Sequence, residues 1–271
     1  MRMEFSVPIE LFDFQSREVT IGGITKVVYF SGVGPAVIVM PEMPGISPDL
    51  IRFARWVREA GFTVFLPSLF GKDGAIPQVR EGIVIFKRAC VSFEFRTLAS
   101  NGSSPIVDWL RGLAKQAHVE VGGKGVGAIG MCFTGNFALT MMLEPSMLAA
   151  VLCQPSLPLD DPAGINMSPE ELTEVKKRLR QENLEILAYR FSGDVHCREE
   201  RFCAYKKELG DLFVDRVLPD NAANSKPPPF FDKVIASPHS VVTAHLIDEV
   251  GQPTLKARDE IISFLKMRLK D

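Results

Sequence analysis

Short apolar runs rich in β-branched residues alternate along the chain with stretches whose apolar positions recur at helical spacing. The runs at 26–30, 36–41, 63–66, 125–130, 149–153, 184–191 and 212–218 predict strands. Between them, residues 48–60 carry Leu50, Ile51, Phe53, Ala54 and Val57 on one helical face and stop at Gly61. Ser168-Pro169-Glu170-Glu171 supplies an N-cap, a proline at the first helical position and first-turn acids, opening a helix to about 183. Residues 253–269 read as a terminal amphipathic helix. Strands and helices in alternation predict an α/β fold: a mostly parallel central sheet with helices on both faces. Two stretches lack either period. Residues 71–104 read as an irregular segment carrying Arg80, Lys87, Arg88 and Arg96, placed to border a site. Residues 219–238, with Pro227-Pro228-Pro229 before Phe230-Phe231, read as a loop.

One apolar run ends in an unusual way. Gly125-Val126-Gly127-Ala128-Ile129-Gly130-Met131-Cys132-Phe133-Thr134-Gly135 breaks at a cysteine flanked by glycines and leads into a helical stretch at 136–143. This is the pattern of a nucleophile elbow, a sharp strand-to-helix turn that lifts one side chain above the sheet edge. The helix N-terminus then points its positive end at Cys132, which favours a thiolate and any oxyanion formed beside it. Acyl-transfer chemistry is the reading.

Composition narrows the alternatives. The 271 residues, 46% hydrophobic, suit one domain with a large core, taken as spanning 1–271. A formal net charge of -2, with Lys and Arg dispersed, offers no surface for a phosphate backbone, so no nucleic-acid partner is expected. No apolar run of about 18 residues occurs and the N-terminal residues lack a signal-peptide core, so no membrane partner is expected and the predicted compartment is the cytoplasm. The five cysteines, Cys90, Cys132, Cys153, Cys197 and Cys203, contain no CxxC pair. A disulfide framework, a zinc site and a disulfide-exchange role are therefore disfavoured, and the four besides Cys132 read as small core residues. Nothing in the spacing of histidines and acids calls for a metal or another cofactor.

A thiol nucleophile needs a base, a group to orient that base, and donors for the oxyanion. His239 follows the proline-rich loop and precedes Ser240-Val241-Val242-Thr243-Ala244-His245-Leu246, read as helical, which puts it beyond the last strand where such a base belongs. His118, His196 and His245 read as structural. The orienting acid belongs between nucleophile and base. Asp194 fits, closing the strand at 184–191 through Ser192-Gly193, with Asp220 as competitor. Glu42, directly after the strand at 36–41, is a supporting candidate, placed to hold the resting cysteine or pair with an arginine. The backbone N–H groups of Phe133 and of the loop at Met43 are the expected oxyanion donors.

Four motifs in this order, Pro41-Glu42-Met43-Pro44-Gly45, Gly130-Met131-Cys132-Phe133-Thr134-Gly135, Gly193-Asp194 and Pro238-His239-Ser240, make the chain resemble the dienelactone hydrolase family, a cysteine-nucleophile branch of the α/β-hydrolase fold. The resemblance implies a Cys132-Asp194-His239 triad with Glu42 near the thiol, acting on a small-molecule ester, lactone or thioester. Thr134 stands where the family has glycine, and Thr243 where its dienelactone-cleaving members have an arginine for the substrate carboxylate. The competing reading is a non-catalytic ligand-binding or interaction protein that keeps the fold.

Overall fold

In the computed structural model, which describes residues 8–91 and 104–270, the seven predicted strands and one that was not predicted, at Gln15–Ile21, form one eight-stranded sheet. In chain order the elements are β1 (Gln15–Ile21), β2 (Ile24–Ser31), β3 (Ala36–Val39), α1 (Pro48–Glu59), β4 (Thr63–Pro67), α2 (Val79–Val91) and α3 (Pro105–Val121). There follow β5 (Val126–Met131), α4 (Gly135–Met141), β6 (Met147–Cys153), α5 (Pro169–Gln181), β7 (Ile186–Phe191), α6 (Glu199–Leu209), β8 (Phe213–Leu218), α7 (Pro229–Lys233) and α8 (Pro253–Leu269). The strand order is β1-β2-β4-β3-β5-β6-β7-β8. The hairpin β1–β2 and the β2–β4 pair are antiparallel, and every pairing from β4 to β8 is parallel.

Every residue of β3, β4, β5 and β7 is buried, as a parallel sheet covered on both sides requires. Alternate residues feed two cores. Ile38, Ala128, Leu152 and Ala188 pack with α3, α4, α5 and α6, whereas Val37, Ile129, Val151 and Leu187 pack with α1 and α8. Local chemistry fixes the helix ends. Ser47 and Ser168 each accept the backbone N–H three residues on, from Leu50 at 3.2 Å and Glu171 at 3.1 Å, and proline takes the first position of both helices. Gly61 ends α1 with φ +88°.

Four expectations change. Residues 79–91 are helical, so the segment 71–104 is not irregular there; VREGIVIFKRACV carries a helical period that its charges interrupt, while Arg96 and the side chain of Cys90 lie outside the described residues. The proline-rich stretch holds a short helix, α7, because Pro229 occupies its first position, where no N–H is needed. Residues 241–245 form turns, not a helix. Cys203 is exposed on α6 rather than in a core, whereas Cys153 and Cys197 are buried.

Candidate active site

The site lies at the carboxyl ends of the central parallel strands, where side chains leave the sheet with their backbone groups already paired below them. β5 ends at Met131, Cys132–Thr134 make one 3-10 turn, and α4 begins at Gly135. Cys132 has φ 55°, a left-handed conformation that a side-chain-bearing residue adopts only when its surroundings impose it. The neighbours do so. A Cβ on Gly130 would sit 2.1 Å from the Thr134 carbonyl oxygen, and one on Gly135 would sit 2.6 Å from Pro155 Cα. Thr134 ties the turn from within: its hydroxyl accepts the Met131 N–H at 2.9 Å and lies 3.0 Å from the Met131 carbonyl oxygen. The Ser156 N–H donates to the Cys132 carbonyl at 3.0 Å, fastening the elbow to the loop after β6.

Asp194 follows β7 and is 2% exposed. Its Oδ1 accepts the backbone N–H groups of His196 (2.8 Å) and Cys197 (3.0 Å), and its Oδ2 lies 2.7 Å from His239 Nδ1. Burial opposes ionisation of this carboxyl, but the His239 charge and these hydrogen bonds outweigh it and hold its pKa below the usual range. Asp220 does not compete for the histidine. It accepts the Ser192 hydroxyl (2.9 Å) and the Gly193 N–H (2.8 Å), bracing the turn that presents Asp194.

His239 is 1% exposed. Burial disfavours its protonation, yet Asp194 and the Cys132 sulfur overcome that cost and hold its pKa well above the ordinary histidine value. With Nδ1 on Asp194, its Nε2 is buried, and Cys132 acts on the ring by charge and by hydrogen bonding. The His239 and Ser240 N–H groups donate to His245 Nδ1 at 3.4 and 3.1 Å. His245 thereby shapes the loop that carries His239, and burial first, His239 second, push its pKa down to about 4, keeping the acceptor neutral.

Glu42, 1% exposed, is bonded to neither Cys132 nor an arginine among the described residues. Its carboxylate accepts Ser240 Oγ (2.6 Å), Gln154 Nε2 (3.3 Å) and the Thr243 hydroxyl. Burial raises its pKa, against the pull of the two hydroxyls. Met43 and Phe133, whose amides are the expected oxyanion donors, line one pocket with Cys132 and His239. His196 lines it too, its ring 5.5 Å from that of His239, whereas His118 bonds to the Gly123 carbonyl (3.0 Å), past the C-terminus of α3. Gln154 is the site neighbour that motif reading passes over, and His196, read from the sequence as structural, lines the pocket. Both lie just beyond the carboxyl end of a parallel strand, and that position is the signal that finds them. Among the described residues, no cluster of three or more His, Cys, Asp or Glu could hold a metal ion, and no helix is long and apolar enough to cross a membrane.

Residues 26–185 match the family model of the dienelactone hydrolase family. No curated protein matches the chain. Among solved structures, the chain is similar to a dienelactone hydrolase from Anabaena variabilis, at 13% identity and a TM-score of 0.59 over 95% of this chain and 100% of that one. It is also similar to a dienelactone hydrolase-like promiscuous phosphotriesterase from metagenomic libraries, at 19% identity and a TM-score of 0.60 over 95% and 99%. An α/β serine hydrolase without a lid from Xanthomonas campestris aligns at 12% identity and a TM-score of 0.54 over 96% and 97%. With the sheet order above, these likenesses identify the α/β-hydrolase fold.

Proposed function

The chain belongs to the dienelactone hydrolase family, and on that premise we propose that this hydrolase cleaves an ester, lactone or thioester through Cys132, His239 and Asp194. The observation that carries the reading is the left-handed Cys132 at the end of β5 beside a buried His239, whose Nδ1 is held by Asp194 and whose Nε2 has no other partner. That is the arrangement a nucleophile, a base and an orienting acid require.

The Cys132 proton rests on His239 Nε2, and in the first step the thiolate sulfur attacks the carbonyl carbon. A C–S bond forms, and the oxyanion is stabilised by the N–H groups of Phe133 and Met43. As the tetrahedral intermediate collapses, the bond to the leaving oxygen or sulfur breaks and the imidazolium returns its proton to the leaving group. In the second step Nε2, neutral once its proton has gone to the leaving group, deprotonates water, the hydroxide attacks the acyl carbon, and the C–S bond breaks to restore the thiolate beside the imidazolium. The net change is one bond hydrolysed to an acid and an alcohol or thiol. Asp194 keeps Nδ1 protonated and stabilises the imidazolium in both steps.

Cys132→Ala and His239→Ala are each expected to lower kcat on a responsive aryl ester or thioester by at least about 1,000-fold, with circular dichroism unchanged. Mass spectrometry of the wild type is expected to show an acyl adduct on Cys132. Full turnover in both folded variants would refute the assignment.

A further inference from the structure

The pocket that Cys132 opens into has aromatic and aliphatic walls. Phe133, Phe230 and Phe231 are 2%, 2% and 3% exposed, and Met43, Leu159 and Ile235 complete the apolar surface. The walls are braced against one another and their surroundings. Phe230 meets Phe231 edge-on at 5.4 Å, Phe133 meets Phe70 at 6.3 Å, and Phe231 meets His245 at 6.1 Å. Apart from Cys132 and His239, the polar lining residues are Ser156 and His196.

Among the described residues, no lysine or arginine lines the pocket. Arg80 and Arg88 are exposed on α2, outside the lining. His196 supplies no counter-charge near neutrality, because burial first and the neighbouring His239 second lower its pKa. Thr243 gives its hydroxyl to Glu42 and is fully buried. Two buried acids, Glu42 and Asp194, stand behind the site. The cation that does line the pocket, the His239 imidazolium, is already neutralised by Asp194 at 2.7 Å, so a carboxylate entering would lose its hydration with no unpaired cation among the described lining residues to replace it.

The acyl group stays bonded to the Cys132 sulfur through both steps of the reaction, so it is the part of the substrate that a pocket around that sulfur holds. We infer that the pocket takes an uncharged, apolar acyl group and rejects acyl groups that carry a carboxylate. This inference rests on the acyl-transfer reading above and specifies its substrate.

The test compares kcat/KM of the wild type for p-nitrophenyl hexanoate and for the p-nitrophenyl monoester of adipic acid, alike in chain length and different in one terminal carboxylate. The hexanoate is expected to win by at least about 100-fold, or about 2.7 kcal/mol. Leu159, 44% exposed at the pocket rim, can accept a cation without entering a core. Leu159→Arg is expected to narrow the ratio at least about fivefold, chiefly by raising the rate on the adipate monoester. Equal or reversed wild-type preference overturns the inference while leaving the hydrolase reading intact, provided Cys132 acquires an acyl adduct. An unchanged ratio in folded Leu159→Arg also overturns it. No turnover and no adduct with either ester overturns the hydrolase reading and this inference with it.

Discussion

On the proposed reading, Glu42 serves the chemistry without touching it. Its carboxylate gathers a hydroxyl from Ser240, a hydroxyl from Thr243 and an amide from Gln154. Ser240 is the residue after His239, so the acid after β3 fixes the loop that carries His239. Truncation leaves three buried donors seeking an acceptor, and an unsatisfied buried group costs about 1–3 kcal/mol. Glu42→Ala is therefore expected to lower unfolding stability by about 3 kcal/mol in urea titrations. It is also expected to reduce kcat at least about tenfold with little change in KM, because a displaced base slows chemistry more than it weakens binding. Glu42→Gln, which keeps the shape and one acceptor, is expected to recover part of both. Wild-type stability together with wild-type kcat in Glu42→Ala would remove Glu42 from the positioning role.

At the scale of elements, the turn from β5 into α4 holds Cys132 in a conformation that costs about 1–2 kcal/mol for a residue with a side chain. The turn persists because its neighbours leave no alternative path. Gly130 is the tightest point, since any Cβ there would meet the Thr134 carbonyl at 2.1 Å, and a backbone oxygen cannot rotate aside. Gly130→Ala is expected to cost about 3 kcal/mol, seen as a fall in thermal midpoint of about 10 °C, with turnover lost as the elbow opens. A midpoint within error of the wild type would show that the turn yields more easily than its contacts imply. The elbow was legible because its glycines and its cysteine are local, and the strands from β3 to β7 because burial on both faces leaves continuous apolar runs. β1 was not. As an edge strand it reads QSREVTI, with only Val19 buried, and polar residues mask its period. Residues 241–245 misled in the opposite sense: Val241, Val242 and Ala244 are apolar because they fill cores beneath turns, not because they line a helix. Glu42's partners were equally out of reach, since Ser240 and Thr243 lie 198 and 201 residues away along the chain.

In the whole molecule, the loop after β7 and the loop beyond α7 meet through Asp194 and His239, reinforced by the Val195 N–H donating to Ser237 Oγ at 3.1 Å. The free energy of this buried pair therefore enters the stability of the fold as a whole, and its sign with pH follows from the two shifts. His239 has a raised pKa in the folded state, so its contribution is complete below the unfolded value of about 6.5 and fades as pH rises through the folded value. Asp194 has a lowered pKa, so its contribution is complete above the unfolded value of about 3.9 and fades as pH falls through the folded one. Both are in force between about pH 4 and 6.5. Replacing one partner strands the other charge in the interior, at a cost of about 3 kcal/mol. Asp194→Asn is therefore expected to differ most from the wild type in unfolding free energy at about pH 5–6. The gap should shrink in more alkaline buffer, where the imidazole of the folded wild type loses its proton. Urea denaturation of both proteins across that range is the measurement. A gap that widens steadily above pH 7 would mean that the aspartate holds a neutral ring by hydrogen bonding alone, and that the charge pair contributes nothing to the fold.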